Sequence, residues 1–369
     1  MHNLNQEVAT ALGDQLHRLF ARQVTREMRM AAEQGKTDAR LWQDVAEIGV
    51  GPALAPEAAG GAGLGWSDAA AALRLLGRHL PPQPLGETML AAWALGLQGI
   101  ECGDAPVAVA GSPLQLDADG RVSGEDVLVS WAPSVGSVLA FAQSAQQRQL
   151  VLLNVAECEL QAQRTLDRWP AARVRVKGLK PARAVAAPAV LGPQGLRTPL
   201  AVLRVQQMAG ALDQILALCV DYANTRSQFG KTIGKFQAIQ HQLAELAELS
   251  AAAQVAATYA ARQLDRGNAA AAEQGAAIAK VRCGMSATRG AAIAHQVFGA
   301  IGITDEHSLH DYTRRLWQWR DEAGSEAHWA EWLGRLVLVQ NGAALWPSIA
   351  DRASATSVES VVTDEKFHA

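Results

Sequence analysis

The sequence predicts a mainly helical α+β chain in which a helical unit, a β unit and a second helical unit follow one another. Three textures carry that expectation. Residues 1–100 place apolar side chains at helical spacing, 101–190 break into short β-prone runs between turns, and 191–345 hold long alanine-rich amphipathic stretches. Elements that segregate in this way argue against a doubly wound sheet. They suit an N-terminal helical domain, a middle β-barrel or sandwich and a C-terminal four-helix bundle, with 346–369 as a tail. A length of 369 residues is also more than a single core usually organises.

Each stretch has its own signals. Leu12, Leu16, Leu19 and Phe20 recur on one helical face, as do Leu73, Leu76 and Leu80 after Ser67-Asp68, an expected N-cap. Between them Gly49 to Gly65 predicts a flexible connection, and Pro81-Pro82-Gln83-Pro84 closes the helix before it. The β texture opens near Pro106 with Val107–Ala110, continues through Val127–Val129 and Leu150–Leu153, and ends near Val185. Asp119-Gly120 and Ser123-Gly124 are its turns. After Pro199 the pattern predicts helices over 202–226, 236–266, 269–300 and 311–339. The tail from Trp346 is polar, with Val358 to Val362 a short apolar run suited to docking on a partner.

Composition removes several functions. A formal charge of -3, from 33 basic and 36 acidic residues, offers no basic field for nucleic acid. Mean hydropathy of +0.00 and the lack of a long apolar run argue against a membrane span. The first twenty residues lack a signal-peptide layout, because Asp14, His17 and Arg18 interrupt them. Cys102, Cys158, Cys219 and Cys283 lie far apart without CxxC spacing, as expected of reduced thiols in a cytoplasmic protein.

Two corners of the helical part concentrate polar groups beside glycines. Arg226-Ser227-Gln228-Phe229-Gly230-Lys231-Thr232-Ile233-Gly234-Lys235-Phe236 releases the chain from one helix into a turn before the next. An arginine there can grip a phosphate at two points, and helix N-termini favour the same anion; a solvent-facing turn is the plain alternative. Gln296-Val297-Phe298-Gly299-Ala300-Ile301-Gly302-Ile303-Thr304 permits close backbone approach, and Thr304 with Asp305-Glu306 is placed to cap the last helix. His307 and His310 sit three apart, a spacing that a solvated helix start explains better than a metal. The cluster Gly60-Gly61-Ala62-Gly63-Leu64-Gly65 follows a helix rather than a strand, so it does not predict a dinucleotide loop.

At both corners the sequence resembles the acyl-CoA dehydrogenase flavoproteins. RSQFGKTIGKFQAIQHQLAEL is similar to the family's helix-turn-helix signature, QVFGAIGITDEHSLHDYTRR to its second signature, and APEAAGGAGLGWSDAAAAL to its N-terminal glycine stretch. The resemblance implies FAD as cofactor, an acyl-CoA as substrate, electron-transfer flavoprotein as electron acceptor and an oligomer. That oligomer is a homomeric dimer or tetramer, or a heterotetramer with a larger homologue. It also implies that Arg226, Gln228 and Phe229 contact a neighbouring subunit's FAD, with Ile233 and Phe236 walling the adenine. Gln296, Gly299 and Ala300 lie along the pyrophosphate, Ala300 replacing the family's usual second glycine.

The family's reaction needs a carboxylate to take the α proton while flavin accepts a hydride from the β carbon. Counted from Gln296, that position is Ala323, followed by Gly324-Ser325 in place of Gly-Thr. The other base position known in the family falls at Leu200 and Ala201, neither of which can act. Glu322, one residue before Ala323, is the candidate base. The Thr-Glu-Pro-x-x-Gly-Ser-Asp segment of the family has only Gly111-Ser112 as a counterpart, and Trp131 is the candidate aromatic beside the flavin. Such losses resemble the small subunits of steroid, dicarboxylate and aromatic acyl-CoA dehydrogenases. Three functions follow from the resemblance: dehydrogenation of a bulky or ring-bearing acyl-CoA, completion of another chain's FAD site by a silent partner subunit, or, more distantly, other flavin chemistry such as oxidation of nitroalkanes or hydroxylation with oxygen. Trp317, Trp319, Trp329 and Trp332 suggest an interface or a wide substrate pocket after the second signature.

Overall fold

In the computed structural model, which describes residues 2–339, 342, 343, 345 and 346, five helices precede the first strand. They are α1 (His2–Gln23), α2 (Arg26–Glu33), α3 (Ala39–Glu47), α4 (Ala70–His79) and α5 (Leu85–Gly96). Thr25 caps α2 by accepting from the Met28 amide, and Asp38 caps α3 by accepting from Arg40 and Leu41. Leu12, Leu16, Leu19 and Phe20 form the buried stripe of α1. Every residue of α5 is buried, as suits a helix apolar on nearly all sides, and this encloses Glu87.

The Gly49–Gly65 connection is not a flexible linker. Gly63 and Leu64 donate backwards to the Ala55 and Ala53 carbonyls, and Leu64 and Trp66 are in the core. The Asp265 carboxylate then accepts from the Trp66 and Ser67 amides at 2.7 and 2.8 Å, tying this loop to the bundle. Ser67-Asp68 does not cap α4, which starts at Ala70 without a side-chain cap. Asp68 accepts from the Gly65 amide instead.

The middle of the chain forms one eight-stranded sheet. Its strands are β1 (Val107–Val109), β2 (Leu114–Leu116), β3 (Val122–Ser130), β4 (Ser137–Gln143), β5 (Arg148–Asn154), β6 (Glu159–Ala162), β7 (Ala171–Leu179) and β8 (Arg183–Ala186). The order is β6-β7-β3-β2-β4-β5-β8, with β1 beside β4. Most neighbours are antiparallel, but β1 and β2 both run parallel to β4. The β-prone runs therefore mark the strands without revealing their directions. Leu139 pairs with Leu152, and β4 is buried along all but its ends.

The helical end comprises α6 (Arg197–Thr225), the two-residue strands β9 (Ser227–Gln228) and β10 (Lys231–Thr232), α7 (Gln237–Asp265), α8 (Ala269–Phe298), α9 (Leu309–Asp321) and α10 (Glu326–Val339). α4 and α6 touch backbone to backbone: a Cβ on Gly77 would lie 1.8 Å from the Gln207 carbonyl oxygen, and one on Gly210 1.9 Å from that of Arg74. The helix expected over 311–339 is two helices, broken at Glu322 to Ser325, where Ala323 takes a φ of 56° and Gly324 one of 94°. Thr304 does not cap α9; its hydroxyl donates to the Ile301 carbonyl. Trp319 and Trp329 are buried inside the chain, and the Trp329 indole donates to the Ala323 carbonyl. Those two rings therefore hold the chain's own break. Among the described residues no helix is long and apolar enough to cross a membrane. The Val358–Val362 run lies outside the described residues.

Glu273, near the start of α8 and 1% exposed, accepts from the Gln194 amide at 3.3 Å and fastens the strand-to-bundle connection. Burial pushes its pKa up from 4.5 to about 7. The native state thus binds a proton more readily than the unfolded chain, so this contribution is complete below pH 4.5 and fades as pH rises through 7. Glu273→Gln should remove a pH dependence of about 3 kcal/mol between pH 4.5 and 7. Denaturant titrations of both proteins across that range check it; parallel curves would discount a raised Glu273 pKa.

Candidate functional site

Two places collect the chemistry, and they lie at different heights in the bundle. The first is the turn after α6. Ser227-Gln228 and Lys231-Thr232 pair as a hairpin whose two central residues, Phe229 and Gly230, have φ of 52° and 77°. Positive φ at both positions is the geometry of a tight type I′ hairpin, which normally selects Asn-Gly or Asp-Gly. A phenylalanine there is strained by about 1–3 kcal/mol. Its ring gains no burial in return, for Phe229 is 92% exposed. Strain without burial marks a residue presented to something else.

The hairpin carries other unengaged groups. The side chains of Arg226 and Gln228 are exposed and form no hydrogen bond within the chain among the described residues. Ile233 is 6% exposed and packs beneath the hairpin, so it supports the turn from inside. Phe236 is half-buried, with the Lys231 ammonium 4.3 Å from its ring centre and Phe229 edge-on at 6.2 Å.

The second signature arrives at the same end. Tyr222, one turn before Arg226, stacks on Phe298 at 4.3 Å, and Phe298 immediately precedes Gly299. Gln296, Gly299 and Ala300 are exposed, Gly299 has a φ of 65°, and nothing lies within 4 Å of where its Cβ would be. The structure thus brings both corners together around one aromatic stack. A guanidinium, an amide, an open glycine and a bare ring suit the diphosphate and adenine of a dinucleotide. The residues present fit the ADP half of FAD. His307 also joins this end, its ring 4.4 Å from Phe298, while its Nδ1 accepts from the Leu309 amide.

Glu322 is elsewhere. From Lys280, which holds its carbonyl, to Gln296 is about 24 Å of helix axis at 1.5 Å per residue. Glu322 is 7% exposed, and both of its carboxylate oxygens accept hydrogen bonds. One oxygen accepts from Arg204 Nε at 2.7 Å, the other from Gln318 at 2.9 Å and Ser130 at 3.1 Å. Burial alone would raise this carboxyl, but the Arg204 charge, the Gln318 hydrogen bond and the Arg315 charge outweigh it and hold the pKa below the ordinary value. A general base works best with an accessible oxygen and a pKa near the working pH; Glu322 is buried, ion-paired to Arg204 and held below its ordinary pKa.

Arg204, on α6, is the centre of this arrangement. Besides Glu322 it donates to Glu87 at 2.6 Å and to Gln207 at 2.8 Å, so all three guanidinium nitrogens are committed. The fully buried Lys280 donates to the carbonyls of Trp319, Arg320 and Glu322 at 2.7, 2.9 and 2.6 Å. Burial pulls the Lys280 pKa down to about 7 against the attraction of Glu322. Arg315, paired with Asp167, places its guanidinium over the ring of Trp169, which packs on Trp131 with ring centres 4.9 Å apart. Between these groups remains a cavity of about 20 Å³, lined among others by Glu87, Ser130, Trp131, Arg204 and Arg315.

The positions that the resemblance implied for the base, and the candidate flavin aromatic, are sequence neighbours of this network. Leu200 lies one turn before Arg204, Ala323 follows Glu322, and Trp131 follows Ser130. Charge spacing along the chain could not have announced Arg204, Lys280 or Glu87, because their partners are remote in sequence. The only local hint was a charged residue inside an otherwise apolar helical run.

Two family profiles match the chain, the acyl-CoA dehydrogenase N-terminal domain over residues 6–102 and the C-terminal domain over 195–326. Acyl-CoA dehydrogenase IpdE2 of Mycobacterium tuberculosis is 32% identical over 292 residues, 78% of this chain and 82% of that protein. The ChsE4-ChsE5 complex of Mycobacterium tuberculosis has a similar fold, with a TM-score of 0.80 at 24% identity over 90% of this chain and 97% of the other. A variant of the Tcur3481-Tcur3483 steroid ACAD gives 0.79 at 25% identity over 92% and 99%.

Lys280→Met should cost about 3–5 kcal/mol, because three carbonyls, two of them buried, lose their donor and Glu322 loses a nearby cation. A lower denaturant midpoint at unchanged slope is the expected signature. A loss below about 1 kcal/mol would mean that the break at Glu322 does not depend on this ammonium.

Proposed function

The chain belongs to the acyl-CoA dehydrogenase family, whose cofactor is FAD, and on that premise we propose that it is the partner subunit of a heteromeric acyl-CoA dehydrogenase. In this reading its exposed bundle end completes the FAD site of another, catalytic chain. The observation that carries the proposal is Phe229, strained and 92% exposed beside unengaged Arg226 and Gln228. Arg226 and Gln228 would hold the diphosphate, Phe229 and Phe236 would meet the adenine over buried Ile233, and Gln296 with the Gly299-Ala300 backbone would hold the diphosphate from the second corner. FAD, when bound, accepts the hydride from the acyl β carbon.

The proton must go elsewhere. Ala323, Leu200 and Ala201 carry no base, and Glu322 is committed to Arg204. In this reading the catalytic chain supplies the carboxylate that takes the α proton, and electron-transfer flavoprotein is the electron acceptor. A two-chain assembly is supported by the steroid ACAD named for two chains at 25% identity. The same likeness supports a bulky, ring-bearing acyl-CoA as the substrate class.

Co-expression with a larger homologue tests this reading. FAD should be retained and bleached by acyl-CoA only in the mixture; a yellow chain that is bleached alone would overturn it. Within the complex, Arg226→Ala should weaken FAD binding tenfold to a hundredfold, the equivalent of about 1.5–3 kcal/mol for one charge-assisted contact. Unchanged affinity removes Arg226 from the site.

Glu322→Gln separates structure from chemistry. Flavin reduction in the complex should stay within a few-fold of wild type, while the chain's thermal stability falls. A loss of about 10²–10⁴ in the rate with stability intact would instead identify Glu322 as the base.

A further inference from the structure

The sheet, α5, α6 and the end of α9 meet at a junction lined by Glu87, Ser130, Trp131, Arg204 and Arg315, beside the positions the resemblance implied for the base, and among the described residues the cavity there is small. Ligand pockets for molecules of acyl size occupy about 300–1,000 Å³, whereas the space left beside Arg204 is about 20 Å³, room for little more than one water. We infer that the Glu87–Arg204–Glu322 network is a built-in plug, filling with this chain's own charges the cleft in which it would otherwise seat an acyl thioester. The inference rests on the partner-subunit reading, and it explains how the acyl group is confined to the catalytic chain.

The geometry makes the plug hard to displace. Arg204 reaches Glu322 through Nε, Gln207 through Nη1 and Glu87 through Nη2, so no rotation frees one nitrogen without breaking another contact. Glu322 is held on its other oxygen by Ser130 from β3 and Gln318 from α9. Moving the guanidinium aside for a neutral acyl chain would strand two carboxylates in a dry interior, a cost that apolar contacts with the acyl chain do not offset. The Glu322 backbone cannot withdraw either, because Lys280 grips its carbonyl. Three secondary-structure elements and one helix break are thus closed around one cation.

Accessibility of position 200 reads the plug directly. Leu200 is 6% exposed and shares a helix face with Arg204, one turn away. In Leu200→Cys, alkylation of the new thiol by iodoacetamide, followed at that peptide by mass spectrometry, should be at least a hundredfold slower than for the unfolded chain. Adding Glu87→Gln, Arg204→Met and Glu322→Gln together removes the charges while keeping similar volumes, a type of exchange that buried ion networks often tolerate. The combined variant should fold and react at least tenfold faster than Leu200→Cys alone.

Fast alkylation of Leu200→Cys in the otherwise native chain would overturn the plug, as would an unchanged rate in a folded combined variant. If the combined variant fails to fold, the first comparison still decides whether the cleft is closed. FAD retention in the mixture of chains depends on Arg226 and is measured separately. Its loss would sink the partner-subunit reading while leaving the alkylation result standing.

Discussion

One buried guanidinium organises the meeting of all three parts of this chain. Arg204 comes from α6, Glu87 from the fully enclosed α5, and Glu322 from the break between α9 and α10; Ser130 brings in the end of β3. Placing a lone cation in such an interior would be prohibitive, so each partner is a condition for the others. The Glu322 and Glu87 charges keep Arg204 firmly protonated although burial works against it. Lys280 adds the second constraint by collecting the last carbonyls of α9. Their combined effect is to hold the break at which α9 stops.

That closure gives the two ends of the bundle different characters. At the Arg204 level the chain satisfies its own polar groups, and little space remains. At the Phe229 level it leaves an arginine, a glutamine and a ring unsatisfied in solvent, and holds the ring in a strained turn. A closed ion network inside and unengaged groups on the surface suit a molecule whose partner supplies what its surface lacks. The aromatic stack of Tyr222 on Phe298 keeps that surface rigid by joining the ends of α6 and α8.

The tryptophan-rich region after the second signature belongs to this balance as well. Trp169 carries Arg315 on its face, Trp319 closes the cavity, and Trp329 hydrogen-bonds the carbonyl of Ala323 at the break. The indoles are apolar enough to line the junction and polar enough to satisfy a backbone group there. They serve the chain's own closure more directly than an outer interface.

By itself the sequence determined what is local. Alanine-rich periodicity foretold the long bundle helices, β-prone runs foretold the strands, and the two signature stretches located the groups at the exposed end, because each signal is contained within a few turns of chain. Tertiary structure decided the rest. The hairpin after Arg226 was hidden because Phe-Gly is not a usual type I′ pair; strand pairing, the Ile233 amide donating to the Arg226 carbonyl and the buried Ile233 side chain hold that turn. The break at Glu322 was passed over because apolar residues recur on both sides of it, although Gly324-Ser325 is a local stop signal; the ammonium that holds the Glu322 carbonyl lies about forty residues earlier on α8. Arg204 finds its carboxylates at sequence separations of 117 and 118. Such an interaction has no periodicity to betray it, since its energy depends on the dry surroundings that only the assembled fold creates.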